Sequence, residues 1–260
     1  MILSQRRMTM PTVDGLAING MPVEKMMLAV DETGVSVGEA TPATSYQQMA
    51  GLSGMIDLTL EDDTGAAYLS NREITIGLYT LGDEDDIVAA KIRLAALNGR
   101  RTTITWRTLP GVYQGRFSVG AWQDIWAGRR LIASKVTVKL DADPCLYGPV
   151  RTVKLAKGVN NVYVKGNRPC WPTMSLTPDG SKTVSVKDAY GRELSVTAIS
   201  GTLSGSIAIS SDPLDRWIRL NGQLRAPTLD SDYFPLRPGL NKITVAGASG
   251  TISHTPLTLI

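Results

Sequence analysis

Short runs in which apolar and polar residues alternate make up most of this chain. In one of the clearest runs the apolar positions are Val136, Val138, Leu140 and Ala142, and lysine, threonine and aspartate stand between them. A period of two sends successive side chains to opposite faces of a strand, so this run predicts a half-buried strand. Because such runs recur along the whole sequence, we expect a mainly β protein.

The strand predicted at residues 129–142 is stopped by Asp143-Pro144, and the sequence changes in character at this point. Proline has no N–H to give to a sheet, and it keeps the preceding residue out of helical geometry. We therefore expect an N-terminal domain over residues 1–146 and a C-terminal domain over residues 147–260. Asp143, Pro144 and Tyr147 form the predicted hinge between the two domains.

The N-terminal part contains the one convincing helix pattern, near residues 85–97. Asp83 or Asp85 caps its first turn, and Asn98-Gly99 supplies a left-handed stop. The residues predicted to face the core recur at spacings of three and four: Val88, Ala89, Ile92, Ala95, Ala96 and Leu97. Strands are predicted around this helix at residues 55–60, 73–81, 102–106, 112–122 and 129–142, which together indicate an α+β domain.

Residues 31–54 interrupt this pattern with glycine, serine, threonine, alanine, proline and glutamine and show little periodicity. The segment is long for a connection inside a compact domain. It is therefore either disordered or an extended arm that becomes ordered against a partner.

No helix pattern follows residue 147. Alternating runs recur at close intervals, at residues 150–155, 161–165, 171–176, 183–187, 194–198, 205–209, 216–220, 233–236, 242–246 and 251–259. This spacing is typical of an antiparallel sandwich or jelly roll. Two similar segments, Gly158-Val159-Asn160 and Gly239-Leu240-Asn241, each place a tight turn before a strand and are expected to form similar corners.

Charge is distributed unequally between the two parts. Residues 1–146 carry 14 lysines and arginines against 17 aspartates and glutamates, and residues 147–260 carry 13 against 7. Neither part has a dense basic stripe with interleaved aromatic residues, which argues against a nucleic-acid reader. We interpret the asymmetry as two solvated surfaces of unequal charge.

Candidate chemistry is sparse. The chain has a single histidine, His254, expected to be a solvent-facing strand residue, and only two cysteines, Cys145 and Cys170. The pair Asp141 and Asp143 is interpreted as turn-forming rather than metal-binding, since it flanks the end of a strand. No nucleophile elbow, phosphate-binding loop or dinucleotide motif occurs. We therefore expect a protein that is not an enzyme, has no cofactor and works by binding and assembly.

Targeting signals are also sparse. No apolar run approaches the roughly 20 residues that span a bilayer, so membrane insertion is not expected. The first residues lack the order of regions that marks a secretory signal, which favours synthesis in the cytoplasm.

The chain resembles a known family, the distal tail proteins (Dit) of long-tailed, siphophage-type bacteriophages. The resemblance covers nearly the whole length and depends on the order of several motifs rather than on any one of them. These motifs are Ile74-Thr75-Ile76 with the helix after it, Tyr113-Gln114-Gly115-Arg116-Phe117, the hinge Asp143-Pro144-Cys145-Leu146-Tyr147, Gly158-Val159-Asn160, Gly166-Asn167, Pro172, and the run from Asp232 to Asn241.

The resemblance implies a structural virion protein at the phage tail tip, assembled in the host cytoplasm. In this family the N-terminal domain builds a homo-hexameric ring, and the C-terminal domain is a galectin-like β-sandwich on its outside. The implied partners are the tail tube protein, the tail hub and other tail-tip proteins. The alternative is a carbohydrate-binding module for host adhesion, in which Trp171 and Trp217 stack on sugar rings; both are equally explained as sandwich core.

A ring at the tail tip passes DNA through its bore without binding it specifically. An acidic N-terminal part suits this role, because like charge keeps the polyanion from adhering. Glu61, Asp62 and Asp63 are the candidate residues that face the lumen.

Overall fold

The computed structural model describes residues 14–51, 53–62 and 65–260. Within these residues the chain is built from antiparallel sheets with a single α-helix, so the predicted mainly β fold class is confirmed. The chain divides into two compact units, one ending at Leu146 and the other beginning at Tyr147.

The N-terminal unit is organised around one large sheet. Its strands are β1 (Ala17–Ile18), β2 (Met21–Pro22), β3 (Leu28–Val37), β6 (Arg72–Thr80), β7 (Arg101–Thr105), β8 (Tyr113–Val119), β9 (Gln123–Ala127) and β10 (Arg130–Ala142). Their order across the sheet is β2-β1-β7-β8-β10-β6-β3, and β9 pairs with the other half of β10. A separate pair, β4 (Tyr46–Gln48) and β5 (Met55–Asp57), lies outside this sheet, and a 3-10 turn spans Val23–Met26.

The centre of the large sheet carries the core of this unit. Leu140 stands opposite Ile74 on one side and opposite Phe117 on the other, and all three side chains are fully buried. The glycine in the motif at Tyr113 allows this arrangement, because a β-carbon at Gly115 would lie 2.1 Å from the Asp141 carbonyl oxygen. The close approach of β8 to β10 therefore requires a residue without a side chain at this position.

The helix α1 spans Glu84–Ala95 and begins at an Asp83 cap, whose carboxylate accepts the Asp86 N–H at 3.1 Å. The predicted buried face is wrong. The buried positions are Ile87, Ala90 and Leu94, whereas Val88 and Ile92 are exposed. The helix is apolar almost all round between residues 87 and 97, so periodicity alone selects either face equally well.

The predicted start of the arm at residue 31 is also corrected, because β3 continues to Val37. The register of β3 against β6 shifts between Val30 and Val35, which identifies a bulge at residues 31–34. Asp31 fills the bulge, where its carboxylate accepts the Thr33 N–H at 2.8 Å. Gly77 on β6 provides the space, since a β-carbon there would overlap the Asp31 carboxylate. The irregular sequence at residues 31–34 is thus a bulged strand.

The C-terminal unit is the predicted antiparallel β-sandwich. Its strands are β12 (Arg151–Leu155), β13 (Gly158–Val164), β14 (Thr173–Pro178), β15 (Thr183–Lys187), β16 (Glu193–Thr197), β17 (Ile207–Ser210), β18 (Trp217–Leu220), β19 (Gln223–Leu224), β20 (Gly239–Ala246) and β21 (Ala248–His254). Two sheets result, ordered β12-β21-β14-β17-β18-β19 and β13-β20-β15-β16. Short strands also lie at the unit boundary, β11 (Leu146–Tyr147), and near the C-terminus, β22 (Leu257–Thr258).

Alternation along these strands builds the sandwich core. On β15 and β20 every second residue is buried, including Val184, Val186, Ile243 and Val245. The strand predicted at residues 233–236 is wrong as an element, because this segment makes only an isolated bridge from Leu236 to Cys170. Pro235 and Pro238 cannot donate to a ladder and so exclude a longer strand.

The two similar Gly-x-Asn segments form matching corners, and β13 and β20, the strands that they begin, pair with each other. The Asn160 side chain accepts the Ala156 N–H at 2.8 Å and donates to the Ala156 carbonyl at 2.8 Å. Asn241 makes the same pair of bonds to Arg237, at 2.9 and 2.7 Å. The repeated motif therefore serves to fold the two corners.

Candidate functional site

An arm leaves the N-terminal sheet after β3 and returns to it at β6; we define it as residues 38–71. Its base is closed by the Gly38 N–H, which donates to the Glu73 carbonyl at 2.8 Å, and by the Ser70 N–H, which donates to Thr41 at 2.8 Å. Beyond the base, β4 and β5 form a hairpin. A second turn follows β5 and leads to a bridge between Glu61 and Ala67.

The arm has no core of its own. None of its described residues is buried, although its sequence alternates as well as many core strands do. Six large apolar side chains are exposed along it, namely Tyr46, Met49, Met55, Leu58, Leu60 and Tyr68. A two-stranded hairpin is marginally stable in water, and large exposed apolar patches mark interaction sites. The arm is therefore the strongest candidate for an assembly surface in the N-terminal unit.

The acidic character of the N-terminal part is concentrated in this arm. Residues 38–71 contain five carboxylates and no lysine or arginine. Of the three candidate lumen residues, Glu61 is exposed and begins the second turn, and Asp62 accepts the Ala66 N–H at 3.1 Å within that turn. Asp63 lies outside the described residues. Without the arm the N-terminal unit carries more basic than acidic residues, so its acidity is a local property.

Trp171 and Trp217 are half-buried residues of the C-terminal unit, and each has an arginine over its ring. The Arg216 guanidinium lies 5.3 Å from the centre of the Trp171 ring, and the Arg219 guanidinium lies 4.6 Å from that of Trp217. The Trp217 Nε1–H also donates to Asp215 at 3.1 Å. These contacts use one face of each ring and the only polar group of Trp217. Both rings therefore have cation–π partners within the sandwich.

The predicted hinge residues lie where the two compact units meet in sequence. Asp143 belongs to the hydrogen-bond network of the N-terminal unit, since its carboxylate accepts from Arg101 at 2.5 Å and its N–H donates to the Gln114 carbonyl at 2.8 Å. Leu146, two residues after Pro144, is buried in the N-terminal core, and Tyr147 is the first residue of the second unit. The Asp143 carboxylate is therefore held in place by an ion pair with Arg101.

His254 is not the solvent-facing residue that the sequence predicts. Only 2% of it is exposed, and neither ring nitrogen has a hydrogen-bond partner in the described part of the chain. Burial, and to a smaller extent the charge of Arg151, lowers the pKa of its imidazole. The strand alternation was correct, but β21 turns His254 inward together with Ile252. Burial therefore favours the neutral form of this imidazole.

Both cysteines are buried free thiols. Burial raises the pKa of the Cys170 thiol to about 12, so it stays protonated at neutral pH and is a poor nucleophile. Among the described residues no group of three or more histidine, cysteine, aspartate or glutamate side chains is arranged to hold a metal ion. No helix in the described part of the chain is long and apolar enough to cross a membrane.

Comparison with known proteins adds to this picture. Residues 165–257, which cover most of the sandwich, match the family described as siphovirus-type tail component, C-terminal domain. The C-terminal unit is similar to a siphovirus-type tail component domain. This match confirms the resemblance to the distal tail family, and it confirms the virion as the place where such a tail component resides. No curated protein sequence matches the chain.

Solved structures show the same fold over nearly the whole chain. The Dit protein of phage SPP1, described as a paradigm of the hub adsorption apparatus in phages that infect Gram-positive hosts, is similar with a TM-score of 0.68 and 20% sequence identity. The match covers 94% of this chain and 98% of that one. Weaker likenesses link the chain to the phage p2 baseplate in its activated conformation with Sr, with a TM-score of 0.45, 12% identity and coverage of 90% and 91%.

Proposed function

We propose that the protein is a distal tail protein that forms a homo-hexameric ring at the tip of a long phage tail. The ring joins the tail tube to the hub, the baseplate and the receptor-binding apparatus, and it acts without catalysis. The single observation that carries this proposal is the arm, whose described residues include six exposed large apolar side chains and no buried one. The match of the sandwich to a tail component domain supports the class of protein.

The arm requires a partner for a thermodynamic reason. Fixing the backbone of each residue costs about 1–2 kcal/mol, and burial of apolar surface is the main term that offsets this cost. The sandwich strands gain that burial from one another, but the arm finds no second layer within its own chain. In a ring, the neighbouring subunit supplies the missing layer.

The roles of the two units follow from this arrangement. The N-terminal unit builds the ring through its arm, and the sandwich acts as an outward docking platform after the hinge at Asp143, Pro144 and Tyr147. Glu61, Asp62 and Asp63 are proposed to face the bore, where their charge keeps DNA from adhering. A map of the assembled ring tests this last point, since a basic bore at these residues would contradict it.

The test of the ring is removal of the arm from the full chain. Because the Gly38 N–H lies 2.8 Å from the Glu73 carbonyl, a short Gly-Ser turn in place of residues 41–70 closes the gap without strain on the sheet. We expect the wild-type chain to form hexamers in mass photometry and the armless chain to remain a folded monomer.

A matched pair of point variants controls for altered solubility. Tyr46→Ser with Met55→Ser reduces apolar exposure in the arm, and Leu214→Ser with Leu229→Ser does so in loops of the sandwich. Only the arm pair is expected to reduce the hexamer fraction. An armless chain that still assembles as the wild type does would overturn the proposal.

A further inference from the structure

The β4–β5 hairpin at the end of the arm has one exposed apolar face. Residues directly opposite each other in an antiparallel pair point to the same side, so Tyr46 shares a face with Asp57, and Gln48 shares that face with Met55. Tyr46 is 56% exposed and Met55 is 65% exposed. Ile56 points to the other side and is half-buried. The free face of the hairpin, defined by Tyr46, Gln48, Met55 and Asp57, thus combines two large apolar side chains with one amide and one carboxylate.

Helix α1 has an exposed apolar stripe of matching character. While Ile87, Ala90 and Leu94 pack inward, the opposite side of the helix presents Val88, Ile92, Ala95 and Ala96, which we call the helix stripe. Val88 is 46% exposed and Ile92 is 65% exposed. Residues at these spacings lie above one another on one side of a helix, so the stripe is continuous.

One pair of opposite charges lies beside the two surfaces, toward the C-terminal part of the helix stripe, whereas the first turn of the helix is acidic. Hydrogen bonds from Thr59 lower the pKa of the Asp57 carboxyl, which is therefore ionised at neutral pH. Arg93 is exposed next to Ile92, and no ion pair to it occurs among the described residues. Lys91, by contrast, is already paired with Asp124 at 2.5 Å. The helix stripe therefore has an available cation, and the hairpin face has an available anion.

We propose that the hairpin face of one copy docks on the helix stripe of a second copy, with Asp57 beside Arg93. Both surfaces are exposed in the same chain, so they do not cover each other within one molecule. A contact between two different patches of identical subunits is heterologous, and repetition of such a contact generates a closed ring when the rotation permits. The inference rests on the proposed ring and specifies which surfaces close it.

Cysteine cross-linking in the full-length protein tests the contact. Tagged Met55→Cys chains are mixed with untagged Ile92→Cys chains and oxidised, and the covalent heterodimer is measured on a denaturing gel. The native cysteines are buried, so oxidised wild type gives the background. Met21→Cys, which exchanges a residue that is 49% exposed in the same unit, replaces Ile92→Cys as the matched control. We expect a heterodimer with Ile92→Cys and only background with Met21→Cys.

Charge reversal gives an independent readout that does not depend on oxidation. Asp57→Arg and Arg93→Asp are each expected to raise the dissociation constant of the assembly about threefold or more, and the double variant is expected to recover most of the loss. Equal loss in the double variant and in the sum of the singles would show that the two residues do not meet.

The possible outcomes separate the docking surface from the ring. If hexamers form but the Met55–Ile92 cross-link is absent and the charges show no rescue, the docking surface is wrong and the ring stands. If the wild-type chain stays monomeric at every concentration, the ring is contradicted and the docking surface with it. If the Met55–Ile92 cross-link appears only after a tail tube protein is added, the contact between two copies stands and its formation requires that protein.

Discussion

The arm and the sandwich both contain runs of sequence in which apolar and polar residues alternate, but these runs differ in burial. In the sandwich, Val184 and Val186 on β15 lie under the opposite sheet and are almost inaccessible to solvent. In the arm, Leu58 and Leu60 alternate with Thr59 in sequence, but they follow the end of β5 at Asp57, lie outside any strand and remain exposed. The difference is a second layer, which covers the sandwich strands and covers none of the described residues of the arm.

Alternation in a sequence predicts a strand and the face that it buries, but it does not indicate which molecule covers that face. When the chain itself has no covering layer, the pattern indicates an interface instead of a core. Substitutions in the sandwich should therefore change the stability of the protein, and substitutions in the arm should change its assembly.

The largest contrast is expected between Phe234→Ala in the sandwich and Tyr46→Ala in the arm. Phe234 is fully buried, so its truncation should lower the free energy of unfolding by about 3–5 kcal/mol in chemical denaturation. Tyr46→Ala should leave the monomer's unfolding midpoint unchanged and weaken assembly in mass photometry. A destabilised monomer in Tyr46→Ala would show that the arm has a core within its own chain.

The two asparagine corners provide the next contrast, because they make matching bonds at different depths. Asn241 is buried and Asn160 is half-buried. Asn241→Ala removes two hydrogen bonds to the Arg237 backbone at a buried position and should cost about 1–3 kcal/mol, and Asn160→Ala should cost about 1 kcal/mol because water replaces its bonds. Thermal denaturation of both variants measures the order. The reverse order would contradict the depth argument.

Much of the sandwich could be predicted from sequence because the alternation that indicates each strand lies within that strand. The run at residues 183–187 is the strand β15 at the same bounds, and the repeated Gly-x-Asn segments are corners. These features depend on local periodicity and on side chains that bond to nearby backbone. The strand predicted at residues 233–236 was wrong because Pro235 and the nearby Pro238 cannot donate to a strand ladder, although the segment is apolar.

The N-terminal unit was harder to predict because its decisive features are tertiary. The face of α1 depends on which side the sheet covers, and both sides are apolar. The bulge at Asp31 depends on Gly77, far away in sequence. β9 was missed because its pairing with β10 and the Lys91–Asp124 ion pair, rather than its own pattern, hold it in place. In the arm, β4 was not predicted, and the strand predicted at residues 55–60 ends already at Asp57.

His254, which lies in the sandwich, should make the stability of that unit depend on pH. Its pKa is lowered in the folded protein, so the unfolded chain takes up the proton first as pH falls through the ordinary value of 6.5. Stability is therefore complete above that pH and decreases below it. We expect chemical denaturation between about pH 7.5 and pH 5 to show this loss in wild type.

The control for this pH effect is His254→Leu, which should be nearly insensitive to pH over the same range. Carboxyls with a lowered pKa, such as Asp179 at about 2, release their contribution only at more acidic pH and do not interfere. An unchanged slope in His254→Leu would assign the effect to another group.

The smallest effect is expected for Trp217→Ala, whose ring is engaged by Arg219 and Asp215 on the sandwich. Loss of these partly exposed contacts should cost about 1 kcal/mol. The alternative function makes a different prediction, since a glycan site at Trp171 and Trp217 would give a glycan-array signal that either alanine variant removes. The arginine contacts favour an effect on stability alone, and a signal in wild type that vanishes in Trp217→Ala would contradict it.

Hydrogen exchange of the full chain in the dilute monomer and in the assembled ring tests the central claim most directly. Amides in β4 and β5 should exchange rapidly in the monomer and become protected on assembly, together with amides near Ile92. Amides in the sandwich core should be protected equally in both states. Arm amides that are protected equally before and after assembly would contradict the claim that a second copy supplies the layer the arm lacks.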